Sequence, residues 1–321
     1  MVNIGITLGD PAGIGPEIVA KSINGIKNRK FKITLFGDMD NYQKTIDYCG
    51  LHMENQKNIN FINTGTGEPV ETGRVTANAG KIAYKSIETA VQFALAGKVD
   101  VISTAPINKA AIISAGSPYI DHTIMLKALT NSKFITTLFE VKKLRITFLS
   151  KHMSLMDAVK FVKYENVYKA IIDTEKSLNL LGFMEPDIAV AALNPHAGEG
   201  GMFGMEEKNE IIPAIEKAKE TMKVTGPVPA DSVFYLASRG KYDAVLSLYH
   251  DQGHIAAKTY DFAHTVSMNI GLPFLRTSVD HGTAFDIAGK NMADYVSMKE
   301  AILTAEKYAV TYKKRLKLLG Y

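Results

Sequence analysis

The chain is poor in cysteine, in unbalanced charge and in long apolar runs. Its 321 residues include one cysteine, Cys49. That excludes a disulfide scaffold and a cysteine zinc ribbon. Lys and Arg number 37 against 33 Asp and Glu, a formal charge of +4. With no block of one sign, this balance predicts no nucleic-acid surface. No apolar run approaches the ~18 residues of a membrane helix. The start, Met1-Val2-Asn3-Ile4-Gly5, carries no basic region and runs into a strand-like segment, so no signal peptide is expected. Repeats, low-complexity tracts and long linkers are also missing. The expectation is a soluble cytoplasmic protein with no membrane or nucleic-acid partner. Hydrophobic residues at 46% and charged residues at 22% exclude intrinsic disorder.

What is present is an alternation of short apolar runs and longer amphipathic stretches. Strands are expected at residues 3–8, 32–36, 99–103, 145–149, 187–193, 242–248 and 265–270. Helices are expected at 14–26, 79–96, 154–161, 167–181, 206–219 and 297–318. Pro16 suits a first helical turn. Ser154-Leu155-Met156-Asp157 reads as a capping box, and Gly182 as a helix stop. This order predicts an α/β fold with a mainly parallel sheet.

Three histidines occupy equivalent places. His152, His196 and His250 each follow the carboxyl end of an apolar strand, the edge where open α/β sheets bind ligands. Three neutral imidazoles converging there would hold a divalent metal with open positions. Singly, each is better read as a capping or core histidine. His196 sits in Asn194-Pro195-His196-Ala197-Gly198-Glu199-Gly200-Gly201, a loop that lets backbone approach a ligand. Gly9-Asp10-Pro11-Ala12-Gly13-Ile14-Gly15-Pro16-Glu17 links the first strand and helix. It reads as an anion cradle or simply a tight turn, and matches neither common nucleotide motif. Arg276, after an apolar run, is a candidate phosphate or carboxylate anchor, or half of a surface salt bridge. Lys258 lies eight residues beyond His250, and His122-Thr123 follows another strand end.

These motifs, with Ala105-Pro106-Ile107-Asn108-Lys109, Tyr249-His250-Asp251-Gln252-Gly253 and residues 271–289, resemble 4-hydroxythreonine-4-phosphate dehydrogenase of the pyridoxal-phosphate pathway. They span nearly the whole chain. The Gly-Ile-Gly-Pro-Glu start and His281-Gly282-Thr283-Ala284…Asp286-Ile287-Ala288-Gly289-Lys290 are also similar to isopropylmalate dehydrogenase.

The resemblance implies a two-domain isocitrate/isopropylmalate dehydrogenase-like fold with a cleft. One domain would hold residues 1–124 and 271–321, the other 125–270. It implies a homodimer with a shared active site and a metal on His152, His196 and His250, the last donated by the partner subunit. Zn, Co, Ni, Mg and Mn all remain open as the metal, and NAD or NADP as the cofactor. Substrate contacts fall on His122, Thr123, Lys258 and Arg276. Catalytic roles fall on Asp231, Asp251 and Lys258, and cofactor contacts on His281, Gly282 and Asp286.

The implied reaction oxidises 4-phosphohydroxy-L-threonine to a 3-keto acid. That acid loses carbon dioxide to give 3-amino-2-oxopropyl phosphate. Two departures touch the substrate pocket. Asp121-His122-Thr123-Ile124 replaces the usual Gly-His-Thr-Glu, and Ser267 follows Val266 where Asn is common. Asn269 shares that strand face. The alternative is therefore an erythronate or threonate 4-phosphate, or a different hydroxy acid taken by another member of the family. Two other classes compete: a phosphate-recognising acyltransferase needing neither NAD nor metal, and a non-enzymatic binding module.

Overall fold

The computed structural model describes residues 1–27, 29–52 and 59–320. They form two compact units, Met1–Ile135 with Gly271–Tyr321, and Thr136–Ile270. Both are α/β, with sheets that are mainly parallel, as expected from the strand–helix alternation.

In the first unit the strands are β1 (Asn3–Thr7), β2 (Lys32–Gly37), β3 (Ile59–Asn63), β4 (Val101–Thr104) and β11 (Leu275–Ser278). Their order is β3-β2-β1-β4-β11, and every pair among them is parallel. Helices α1 (Gly15–Gly25), α2 (Met39–Tyr48), α3 (Ala77–Leu95), α4 (Lys109–Ser114), α5 (His122–Thr130) and α11 (Val296–Leu319) belong to this unit. The Thr76 side chain accepts from the Ala79 N–H and starts α3. Ile82, Ala83, Ile87, Ala90 and Val91 then form one buried face of α3. That face packs with Phe36, Ile102 and Met125 in one core.

The second unit holds β5 (Thr136–Val141), β6 (Leu144–Phe148), β7 (Ile188–Ala191), β8 (Val224–Val228), β9 (Ala244–Ser247) and β10 (Val266–Ile270). Its strand order is β10-β5-β6-β9-β7-β8. β5 runs antiparallel to both β10 and β6, and the rest are parallel. Helices are α6 (Leu155–Phe161), α7 (Tyr164–Leu181), α8 (Ile212–Lys219), α9 (Ala230–Ser238) and α10 (His250–Asp261). Ser154 caps α6, its hydroxyl accepting from the Asp157 N–H as expected, while the Asp157 carboxylate accepts from that hydroxyl rather than from the Ser154 N–H of a capping box. Gly182 ends α7 at φ 103°. The segment expected as a helix from 206 opens with one wide π-type turn, Glu207–Ile211, before α8. Among the described residues no helix is long and apolar enough to cross a membrane.

Candidate functional site

In the first unit, β4 and β11 pair with Arg276 opposite Ile102 and Ser278 opposite Thr104. Arg276 is only 6% exposed. Its Nε and Nη2 donate to Thr104 Oγ1 at 3.0 and 2.6 Å. Burial pulls the guanidinium pKa down to about 9, opposed by the Asp121 and Asp280 carboxylates. It therefore keeps its charge at neutral pH.

Asp121 caps α5 by accepting from the Ile124 N–H at 2.9 Å. His122 and Thr123 thus occupy the first turn, where backbone N–H groups favour anions. His122 Nε2 is buried without a hydrogen-bond partner among the described residues. Burial, then the Arg276 charge, lowers the His122 pKa well below 6.5. A neutral imidazole, a buried cation and a helix start thus border one cavity of about 370 Å³, with Lys109, His281 and Gly282. The Asp121 and Asp280 carboxylates line it too, so its affinity for a phosphate or carboxylate would rest on Arg276, Lys109 and the start of α5.

The Gly9–Gly15 turn is explained by backbone packing. A Cβ on Gly9 would come within 2.2 Å of the Pro106 carbonyl oxygen, and one on Gly13 within 2.7 Å of the Thr283 oxygen. The Ile14 N–H donates to that same Thr283 oxygen at 2.9 Å. Glu17 is fully buried, ion-paired with Lys21 and accepting from the Ala293 N–H. The loop carrying His281, Gly282 and Asp286 is therefore clamped to the first turn of the fold. Beside it lies a cavity of about 550 Å³, lined by Pro11, Gly13, Asp38, Asp40, Lys44, Glu68, Ala288 and Gly289 among others. Asp286 is exposed and lines neither cavity.

In the second unit, β6 and β9 end side by side, with Phe148 opposite Ser247. His152 follows β6, and His250 opens α10 after β9. Their ring centroids are 6.1 Å apart at 43°. They are the two of the three histidines whose rings lie side by side within one chain. His250 Nδ1 lies 2.6 Å from the Asp251 carboxylate, which fixes that nitrogen as the N–H donor and leaves Nε2 for a ligand.

His196 belongs to a separate device. Residues 196–200 all adopt left-handed backbone, including His196 at φ 53° and Ala197 at φ 56°. Such strain needs outside support. Glu207, 2% exposed, supplies it by accepting from the Leu193 and Asn194 N–H groups at 2.8 and 2.7 Å and from the Asn194 amide at 2.9 Å. The structure thus brings His152 and His250 together, but not His196. Among the described residues no group of three or more His, Cys, Asp or Glu assembles for a metal within one chain.

The remaining candidates are dispersed in this unit. Asp231 is exposed on the first turn of α9. Lys258 lies two turns beyond His250 on α10, its Nζ 5.4 Å from the Phe262 ring. Asn269, 1% exposed, donates to Thr137 Oγ1 at 3.3 Å, as does Lys151 at 2.7 Å. Three supporting residues escape sequence reasoning: Thr104, Glu207 and Gln252. Gln252 accepts from the Leu248 N–H and donates to the Ala192 carbonyl, tying α10 to β7 and β9. Thr104 and Gln252 sit in the polar stretches that close β4 and β9, and nothing in the sequence sets Glu207 apart from Glu206.

The family described as Pyridoxal phosphate biosynthetic protein PdxA matches residues 15–305. The chain belongs to this family. A relative from Halalkalibacterium halodurans, provisionally named D-threonate 4-phosphate dehydrogenase, is 48% identical over 95% of this chain and 96% of its own length. The solved 4-hydroxythreonine-4-phosphate dehydrogenase of Klebsiella pneumoniae is 35% identical, with a TM-score of 0.87 over 96% of this chain and all of that one. A terephthalate 1,2-cis-dihydrodiol dehydrogenase from Burkholderia xenovorans is 27% identical, with a TM-score of 0.63 over 98% of each chain. The PdxA chain is thus an oxidoreductase of a dehydrogenase family in which a nicotinamide cofactor and a divalent metal are implied.

Proposed function

We propose that this PdxA chain oxidises a four-carbon hydroxy acid 4-phosphate with NAD, assisted by a divalent metal. The observation that carries the reading is Arg276, a buried cation beside neutral His122 and the start of α5, in a cavity sized for a small phosphorylated acid. The favoured substrate is a threonate or erythronate 4-phosphate. Sequence motifs alone rank 4-phosphohydroxy-L-threonine first. Relatives 44–48% identical are provisionally named for D-threonate 4-phosphate, which reverses that order. Ile124, exposed on the first turn of α5, offers no acceptor for an ammonium group, unlike the usual Glu.

Arg276 and Thr123 would bind the phosphate, using remote binding energy for orientation. His122, held neutral, would donate or accept one hydrogen bond without adding charge. Asp251 would hold His250 for the metal, and Asp231 or Lys258 would take the hydroxyl proton. When bound, the metal lowers the pKa of the substrate hydroxyl and polarises the ketone, while NAD accepts the hydride. Oxidation at carbon 3 leaves a β-keto acid. Loss of carbon dioxide from it gives dihydroxyacetone phosphate, or 3-amino-2-oxopropyl phosphate from the amino substrate.

NAD is favoured over NADP. The cavity beside Ala288 and Gly289 is lined by Asp38, Asp40 and Glu68 against Lys44. Carboxylates there suit a ribose 2′-hydroxyl and repel a 2′-phosphate. A shared homodimeric site is supported by exposed apolar residues next to each histidine: Met153 and Met156, Met202 and Phe203, and Ile255. The test is purified protein with a divalent metal, NAD or NADP, and each candidate acid, read by NADH absorbance and product mass. Turnover of the amino substrate alone would reverse the substrate choice. Faster reaction with NADP would overturn the cofactor choice.

A further inference from the structure

His254 lies one turn beyond His250 on α10. The two rings stack, with centroids 3.6 Å apart and planes 12° from parallel. Three further contacts hold His254 itself. Its Nδ1 is 2.8 Å from the His250 carbonyl oxygen, a geometry in which the ring N–H donates. Its ring meets Phe139 nearly edge-on at 4.5 Å and Phe148 at 4.7 Å. Phe139 and Phe148 belong to the buried core of this unit. His254 is therefore a fixed plate against which the His250 ring rests.

It is not placed to be a further ligand of the same ion. An imidazole binds along a lone pair in its own plane. Two rings stacked with centroids 3.6 Å apart and planes 12° from parallel cannot both hold one ion in plane about 2 Å from a nitrogen of each. The stack instead limits rotation of the His250 ring, while Asp251 fixes which nitrogen carries the proton. Together they set both the plane and the tautomer of one proposed ligand.

We propose that His254 is a positioning residue that orients His250 for metal binding. The inference rests on the metal reading above and adds a residue to it. The test uses the full chain, stripped of metal with a chelator and titrated with Co²⁺ alone, by calorimetry and by visible absorption of the bound ion. His254→Leu is expected to weaken Co²⁺ binding by about 10–100-fold and to alter the absorption band. His254→Phe, which keeps a ring against His250, is expected to recover most of the affinity. Wild-type affinity and spectrum in His254→Leu would overturn the inference. If that variant does not fold, His254→Asn carries the test under the same criterion, because it keeps a donor but has no ring. Absence of Co²⁺ binding in the wild type, with His250→Ala as control, would instead overturn the metal reading itself.

Discussion

Arg276 shows how a single residue can be poised for an anion. Its charge is buried, and its fork is partly spent on Thr104 Oγ1. A phosphate arriving at the 370 Å³ cavity would offset the desolvation that lowers its pKa. Inorganic phosphate should therefore raise the melting temperature of the wild type and leave Arg276→Gln unmoved. Charge-assisted bonds of roughly 1.5–3 kcal/mol each imply a loss of about 10²–10⁴-fold in kcat/KM for that variant. Equal phosphate stabilisation of both proteins would place the anchor elsewhere. Asp10 offers a second test. It is fully buried and accepts from the Ala12 N–H at 2.9 Å, and burial raises its pKa from 3.8 to about 6. The folded state thus prefers the protonated acid. That contribution is complete below pH 3.8 and is lost as the pH rises through about 6. Asp10→Asn removes the penalty, so it should unfold at higher urea than the wild type at pH 8. The gain is up to about 3 kcal/mol and should vanish near pH 4. A difference independent of pH would show that Asp10 does not titrate this way.

At the scale of elements, α10 is the piece that must sit correctly. Gly253 lets it approach β6, because a Cβ there would fall 2.5 Å from Phe148 Cε1 and 2.9 Å from Ile146 Cγ2. Gly253→Ala should push the helix outward at a cost of about 1–3 kcal/mol. His250, three residues earlier, should move with it, so Co²⁺ affinity should fall more than stability alone explains. Unchanged metal affinity would show that the first turn is held by Gln252 instead. Legibility follows the same physics. Strands buried on both faces, such as β7 and β9, announce themselves as apolar runs. β3 and β8 end their sheets, and with sequences INFIN and VTGPV they lack that pattern. Helix α2 buries only Tyr42, Thr45 and Ile46, too few to mark its period. The histidines are legible because each follows a readable strand. Glu207 and Thr104 are not, because their partners come from elsewhere in the fold.

For the molecule as a whole, a complete set of metal ligands can be built in two ways. One chain pairs His152 with His250 and leaves His196 apart. The homodimer reading instead joins His152 and His196 of one subunit to the His250 supplied by its partner. The two arrangements make opposite predictions for mixed subunits. His152→Ala and His250→Ala should each be inactive alone. Under the shared-site reading, a dimer containing one of each variant keeps one intact site. That site takes its His152 and its His250 from different chains. Random reassortment makes about half of all dimers mixed, each with one good site of two, so activity should return to about one quarter of wild type. Sedimentation should show a species of twice the 35.1 kDa chain mass throughout. If His152 and His250 of the same chain serve one ion, every mixed dimer has each site broken and nothing returns. Replacing exposed Leu155 and Met156 with Glu gives a control. It should split the dimer and abolish Co²⁺ binding under the shared-site reading, because a monomer then has no complete ligand set.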